Sequence, residues 1–152
     1  MKSIRITASL SAMLLVVIIA GCGKDDDSTG PDTSIPAELI ATWTYQSATI
    51  NEIPVSLGLA LQWHEGTVSA RFTISDDGTF VNEELDSDGM LIWTESGTFT
   101  VSGNNATITI TSNSDGPVNP PDVMSGTWAL DGNELTLTTT LEGLTVVIVA
   151  TK

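Results

Sequence analysis

Positive charge is scarce in this chain. Five Lys and Arg stand against 19 Asp and Glu in 152 residues, and so few cations cannot form a basic patch, which disfavours nucleic acid as a partner. A single histidine, His64, removes multi-histidine metal sites and leaves one residue for any His-based triad. A single cysteine, Cys22, has no disulfide partner within the chain. The longest apolar run, Ile6–Ala20, is fifteen residues broken by Thr and Ser, short of the roughly 17–25 that span a bilayer. Charged residues make up only 16%. Despite a formal net charge of −14, the composition is that of a globular domain with an acidic coat, not of a disordered acidic tail. Catalytic equipment is equally thin. Asp86-Ser87-Asp88-Gly89 has the opening of a calcium loop without the further ligands or closing Glu, and Glu83, Glu84 and Glu95 form an acid set with no fixed separation. The expectation is a protein that is not an enzyme and that needs no cofactor or metal.

What is present in abundance is the β-hairpin. GTFTVSGNNATITI (97–110) and GTWALDGNELTLTT (126–139) share a Gly-Thr-aromatic opening, a Gly-Asn turn and an alternating aliphatic/Thr run. A two-residue loop at Gly103-Asn104 sets Val101 opposite Ala106 and Phe99 opposite Ile108. One at Gly132-Asn133 sets Leu130 opposite Leu135 and Trp128 opposite Leu137. Apolar then meets apolar on one face, and a one-residue slip would turn that set outward. Glycine supplies the positive φ that tight hairpin turns demand.

The first 21 residues stand apart. Lys2 and Arg5 precede the apolar run, and small residues lead to Cys22, the layout of a secretory leader. Ile19-Ala20-Gly21-Cys22 resembles the bacterial lipobox. That resemblance implies cleavage before Cys22, lipidation of its sulfur, and a membrane partner held through acyl chains, each buried CH₂ of which contributes about 0.8 kcal/mol. Loss of Lys2 and Arg5 leaves 19 acids against three cations, a formal −16, so the protein surface itself would be repelled by anionic headgroups. Residues 22–36 are small, acidic and proline-bearing, and read as a tether. Lys24-Asp25-Asp26-Asp27 resembles an acidic surface-export signal, or is simply a soluble spacer. The expected location is the bacterial cell envelope, at the outer membrane, on its periplasmic face or the cell surface.

Residues 37–152 read as the folded domain. Ile40–Ile50 alternates as a first strand. Asn51–Val55 turns. Ser56–Glu65 is the one segment with a helical period, capped by Ser56 and weakened by Gly58. Period two then returns through Val68–Ile74, Phe80–Leu85, Leu91–Val101, Ala106–Thr111, Thr127–Leu130, Leu135–Leu141 and Leu144–Thr151. Ser112–Ser125, with three prolines, reads as the longest loop. Eight strands joined by short turns, with an insert only between the first two, favour an all-β, antiparallel up-and-down barrel. Closure hides the edges of such Thr-rich strands.

Trp43 near the start of the first strand, the Asp76–Phe80 turn DDGTF, the two Gly-Thr-aromatic hairpins and the terminal VVIVATK run resemble bacterial lipocalin-like lipoproteins over residues 36–152. The resemblance implies a lipocalin-like barrel that holds one small hydrophobic ligand under a lid between strands one and two. Here Ala41-Thr42-Trp43 replaces the family's Gly-x-Trp, and Lys152 is the candidate to stand in for its late Arg over the Trp.

By alternation Trp43, Tyr45, Phe72, Trp93, Phe99 and Trp128 would line the interior, Ser47, Ala70, Gly97 and Thr139 would leave room, and Trp63 and His64 would sit on the lid. Glu95 falls on the apolar face two residues from Trp93. Either a bulge at 95–97 turns it outward, or the barrel has a polar spot, enlarged by Asn82 and Glu84 if they share Phe80's face. Two readings stay open: a lipid-anchored envelope protein binding a small hydrophobic ligand, or an envelope interaction module with a filled core that shows acidic loops to a protein partner.

Overall fold

A computed structural model describes residues 34–152. The expected leader (1–21), Cys22 and most of the tether lie outside the described residues. A 3-10 turn, Ala37–Leu39, leads into β1 (Ala41–Ile50), β2 (Ile53–Val55), a single helical turn α1 (Leu57–Ala60), β3 (Ser69–Ile74), β4 (Thr79–Leu85), β5 (Leu91–Ser102), β6 (Asn105–Asn113), β7 (Gly116–Asp131), β8 (Glu134–Leu141) and β9 (Leu144–Thr151). Each of β3 to β8 pairs antiparallel with the next, and β9 returns to pair with β1. One edge of β1 takes β9 along Thr44–Ile50. Its other edge takes β3 at Ala41–Thr44 and the short β2 at Ala48–Ile50. The result is the expected closed eight-stranded up-and-down barrel, with β2 as a ninth strand folded onto β1.

Both hairpin registers are those the alternation requires. Val101 faces Ala106, Phe99 faces Ile108, Leu130 faces Leu135 and Trp128 faces Leu137. Positive φ falls on Gly103 and Gly132 and not on the asparagines, the pattern of turns with Gly at the first central position. The β3–β4 turn likewise places Gly78 at φ 80° and pairs Ile74 with Phe80.

Three local expectations are corrected. Residues 112–125 are not a loop: the chain reverses at Ser114-Asp115, and β7 begins at Gly116. The prolines fit because the β6–β7 register jumps from Ile110–Asp122 to Ser112–Pro117. Residues 118–121 bulge free of the ladder there, so a missing N–H at Pro120 or Pro121 removes no strand hydrogen bond. The expected turn at 51–55 contracts to Asn51-Glu52, both at positive φ, followed by β2. The helical insert is only Leu57–Ala60, capped as expected by the Ser56 side chain, which accepts from the Leu59 N–H at 3.2 Å.

The end of the barrel where β1 begins is closed. Trp43, Phe72, Ile74, Phe80, Phe99 and Leu135 are almost wholly buried there, and Leu39 and Ile35 of the entering chain plug it from below. Trp43 Nε1 donates to the Leu39 carbonyl at 3.0 Å. Lys152 caps this floor: its Nζ lies 4.8 Å from the Trp43 ring centroid and donates to the Glu38 carbonyl at 2.6 Å.

The Gly of each Gly-Thr-aromatic motif has a structural cause. A Cβ at Gly97 would sit 1.7 Å from the Thr109 carbonyl oxygen, and one at Gly126 would sit 2.1 Å from that of Thr138. These are the corners where the sheet bends tightly enough for neighbouring backbone to occupy the side-chain position. Gly97 therefore leaves no room in the interior, contrary to the expectation.

Candidate functional site

The other end, where β1, β4, β6 and β8 finish, is open. Met124 pairs with Ile108 and so faces inward, yet it is 38% exposed. Leu141 and Leu144, paired across the last turn on the inward-facing side, are exposed as well. The inner wall here reaches solvent.

Strand pairing gathers the polar inner residues at this end. Phe72, Asn82 and Glu95 lie opposite one another across β3, β4 and β5, and Ala70, Glu84 and Trp93 form the next row towards the opening. Tyr45 reaches across from β1, its ring 5.0 Å from that of Phe72, and its hydroxyl donates to Asn82 Oδ1 at 3.2 Å. Burial pushes the Tyr45 hydroxyl pKa well above its usual value, and the negative charges of Glu95 and Glu84 push it further.

Over this patch lies a strap, residues 56–67. Ser56 starts it, Gln62 and Gly66 reverse it at positive φ, and the Val68 N–H bonds to the Leu85 carbonyl to rejoin the wall. The strap is fastened to one carboxylate. Glu84, 3% exposed, accepts from the His64 backbone N–H at 2.8 Å and from Thr67 Oγ1 at 2.7 Å, both at Oε2, with His64 Nδ1 at 3.2 Å from each oxygen. The imidazole stacks on Trp93 at 3.9 Å between centroids. The Nε1 atoms of Trp63 and Trp93 are sealed from solvent and meet no acceptor.

The structure brings together Tyr45, His64, Trp93 and Glu95, with Trp63 on the strap. Of the other expected lining residues only Phe72, beside the Tyr45 ring and opposite Asn82, reaches them, from the floor. Trp43, Phe72 and Phe99 belong to the solid floor, where trimming any of them to Ala would cost about 3–5 kcal/mol. Trp128 sits at the closed end, its Nε1 donating to the Gly103 carbonyl at 3.0 Å. Glu95 faces inward. The β5–β6 register does shift between Ser96 and Gly97, but Thr111 of β6 is the extra residue, so β5 keeps its alternation and Glu95 stays on the side of Trp93. Arg71 lies outside on Glu83, Nε to Oε2 at 2.7 Å. Sequence reasoning placed Glu84 only as a possible neighbour of Glu95. The signal for its role was a carboxylate at even spacing from Phe80 combined with an insert carrying His64 and Thr67.

His64, Glu84 and Thr67 do not form a relay. Both the His64 N–H and the Thr67 hydroxyl are directed at the same carboxylate, so the hydroxyl is not poised for activation by the imidazole. A groove of about 300 Å³ also opens near the floor, between Ser34, Ile35, Asp76, Asp77 and Phe99. It lies at the opposite end from the strap and carries none of these polar groups, so the open end is the better candidate.

Residues 39–119, just over half of the chain, match the family model described as a lipocalin-like domain. The match covers β1 to the start of β7 and so includes the strap and every residue of the polar patch. No curated protein matches the chain.

Proposed function

Because the chain belongs to the lipocalin-like domain family, we propose that its barrel binds one small, largely apolar molecule at the open end, against the wall formed by Tyr45, Trp93 and Glu95 and beneath the strap. The observation that carries this reading is the contrast between the two ends: a floor packed solid with aromatics, and an inner wall where Met124 faces inward and still meets solvent. Eight strands are just wide enough either to be filled by side chains or to hold one small ligand, and the aromatic packing of this barrel is concentrated at its floor. We assign these residues a binding role on the strength of the family match. The protein acts at the bacterial envelope, tied to the outer membrane through lipid on Cys22.

Titration with a panel of fatty acids and hydrophobic alcohols, read by Trp fluorescence, tests the binding role. Trp93 and Trp63 should report it, and emission unmoved by every member would refute it. Palmitate labelling with Cys22→Ser as control tests the anchor; equal labelling of the two would overturn it.

A second reading, an interaction module, draws on the apolar side chains exposed around the open end: Ile53, Leu59, Met90, Leu91, Leu141 and Leu144. Pull-down with the acidic turns at 86–89 and 114–115 mutated separates it, because a protein partner would be lost while ligand titration stayed intact.

A further inference from the structure

The two inward carboxylates are not equivalent. Glu84 is saturated by the strap. The Glu95 carboxylate, half-buried one row deeper, has no hydrogen bond and no cation among the described residues. Those residues hold two cations in all: Arg71 is outside on Glu83, and Lys152 is at the floor over Trp43. A carboxylate partly withdrawn from water without a partner is unfavourable, and a ligand that supplied the missing charge would relieve it. The surroundings suit a cation on an apolar body. The Tyr45 and Trp93 rings flank the row, and aromatic faces attract ammonium groups. The indole nitrogens of Trp63, on the strap, and Trp93, on the wall, are sealed from solvent and meet no acceptor, a second, independent unsatisfied feature of the same end. The turns and strap around the opening carry Glu52, Glu65, Asp86, Asp88, Asp115 and Glu142 and no described Lys or Arg, so their field draws cations towards the mouth.

We infer that the preferred ligand of this barrel is a hydrophobic amine, its protonated nitrogen paired with Glu95 and its apolar part lying towards the open, apolar-fringed end. The inference rests on the binding role proposed above and adds the charge of the ligand to it.

Octylamine, octanol and octanoate share a chain and differ in the charge of the head. Calorimetric titration of the three, repeated at high salt to screen the surface field, should give octylamine the tightest and octanoate the weakest binding, with the extremes separated by about tenfold or more. The ratio of octylamine to octanol affinity should then fall about tenfold in Glu95→Gln. It should not fall in Glu83→Gln, which removes the same charge from the outer wall. Thermal unfolding of each variant checks that it is folded. Octanoate binding as tightly as octylamine, or a ratio that Glu95→Gln leaves unmoved or that Glu83→Gln lowers equally, overturns the amine preference while octanol binding keeps the binding role. Failure of all three probes to bind overturns both.

Discussion

Fastening the strap to one buried carboxylate predicts a graded response to removing it. Glu84→Gln keeps the shape and takes away the charge. Its amide oxygen, placed at the Oε2 position, still accepts from the His64 N–H and the Thr67 hydroxyl. A hydrogen bond to a charged group contributes about 1.5–3 kcal/mol and a neutral one about 1 kcal/mol, so the two bonds together lose roughly 2 kcal/mol. Glu84→Ala removes the acceptor altogether and costs about 3–6 kcal/mol. The contact to the imidazole, whose side chain is 40% exposed, adds little. At about 1.4 kcal/mol per tenfold, the opening equilibrium of the strap should rise about thirtyfold in the Gln variant and more than a hundredfold in the Ala variant. Hydrogen exchange reads this directly, because the His64 amide is itself bonded to Glu84. Its exchange should accelerate in that order, while the Phe99 amide, bonded to the Gly78 carbonyl at the closed end, keeps its protection. An unchanged His64 amide in Glu84→Ala would refute the fastening. Equal acceleration of both amides would also refute the reasoning, because Glu84 would then be supporting the barrel as a whole.

Two further outcomes follow from the wall. Gly97→Ala puts a methyl 1.7 Å from a carbonyl oxygen, against an ordinary contact of about 3.5 Å, and should cost about 3 kcal/mol or more. Gly103→Ala, at φ 57° in open space, should cost about 1 kcal/mol; equal losses of melting temperature would show that the corner is not tight. Tyr45 is the only tyrosine and its folded pKa is raised, so the folded state holds the proton more tightly than the unfolded chain. Stability should therefore be intact below pH 10, near the ordinary tyrosine pKa, and decline as pH rises above it. Tyrosinate absorbance checks this: it should appear in the urea-unfolded chain at about pH 11 while the native protein stays dark, and an equal signal from both would refute it.

The walls of this barrel were legible because strand pairing is written locally. Gly103 and Gly132 fix two registers, and the Phe99–Ile108 and Trp128–Leu137 partners then follow from a period of two. Residues 112–125 were misread because three prolines announce a loop, whereas the strand continues on both sides of a bulge that absorbs two of them. Glu95 was left undecided because a register shift can bend either strand, and only the pairing shows that β6 takes the extra residue. The floor and the patch were merged for a similar reason: alternation says which face a side chain takes but not how deep along the barrel axis it lies. Glu84 escaped notice as the fastening point because its partners, His64 and Thr67, lie 20 and 17 residues away in a segment whose path no local rule dictates.

The chain enters through the floor. Ser34 and Ile35 run past the 76–78 turn and Phe99, and Leu39 and Trp43 stopper the base of the barrel before β1 climbs towards the opening. Whatever holds the protein by its N-terminal side therefore reaches the barrel at its stoppered end, the end opposite the opening. Under the proposed binding role, the ligand would enter the barrel at the end farther from the N-terminal side of the domain.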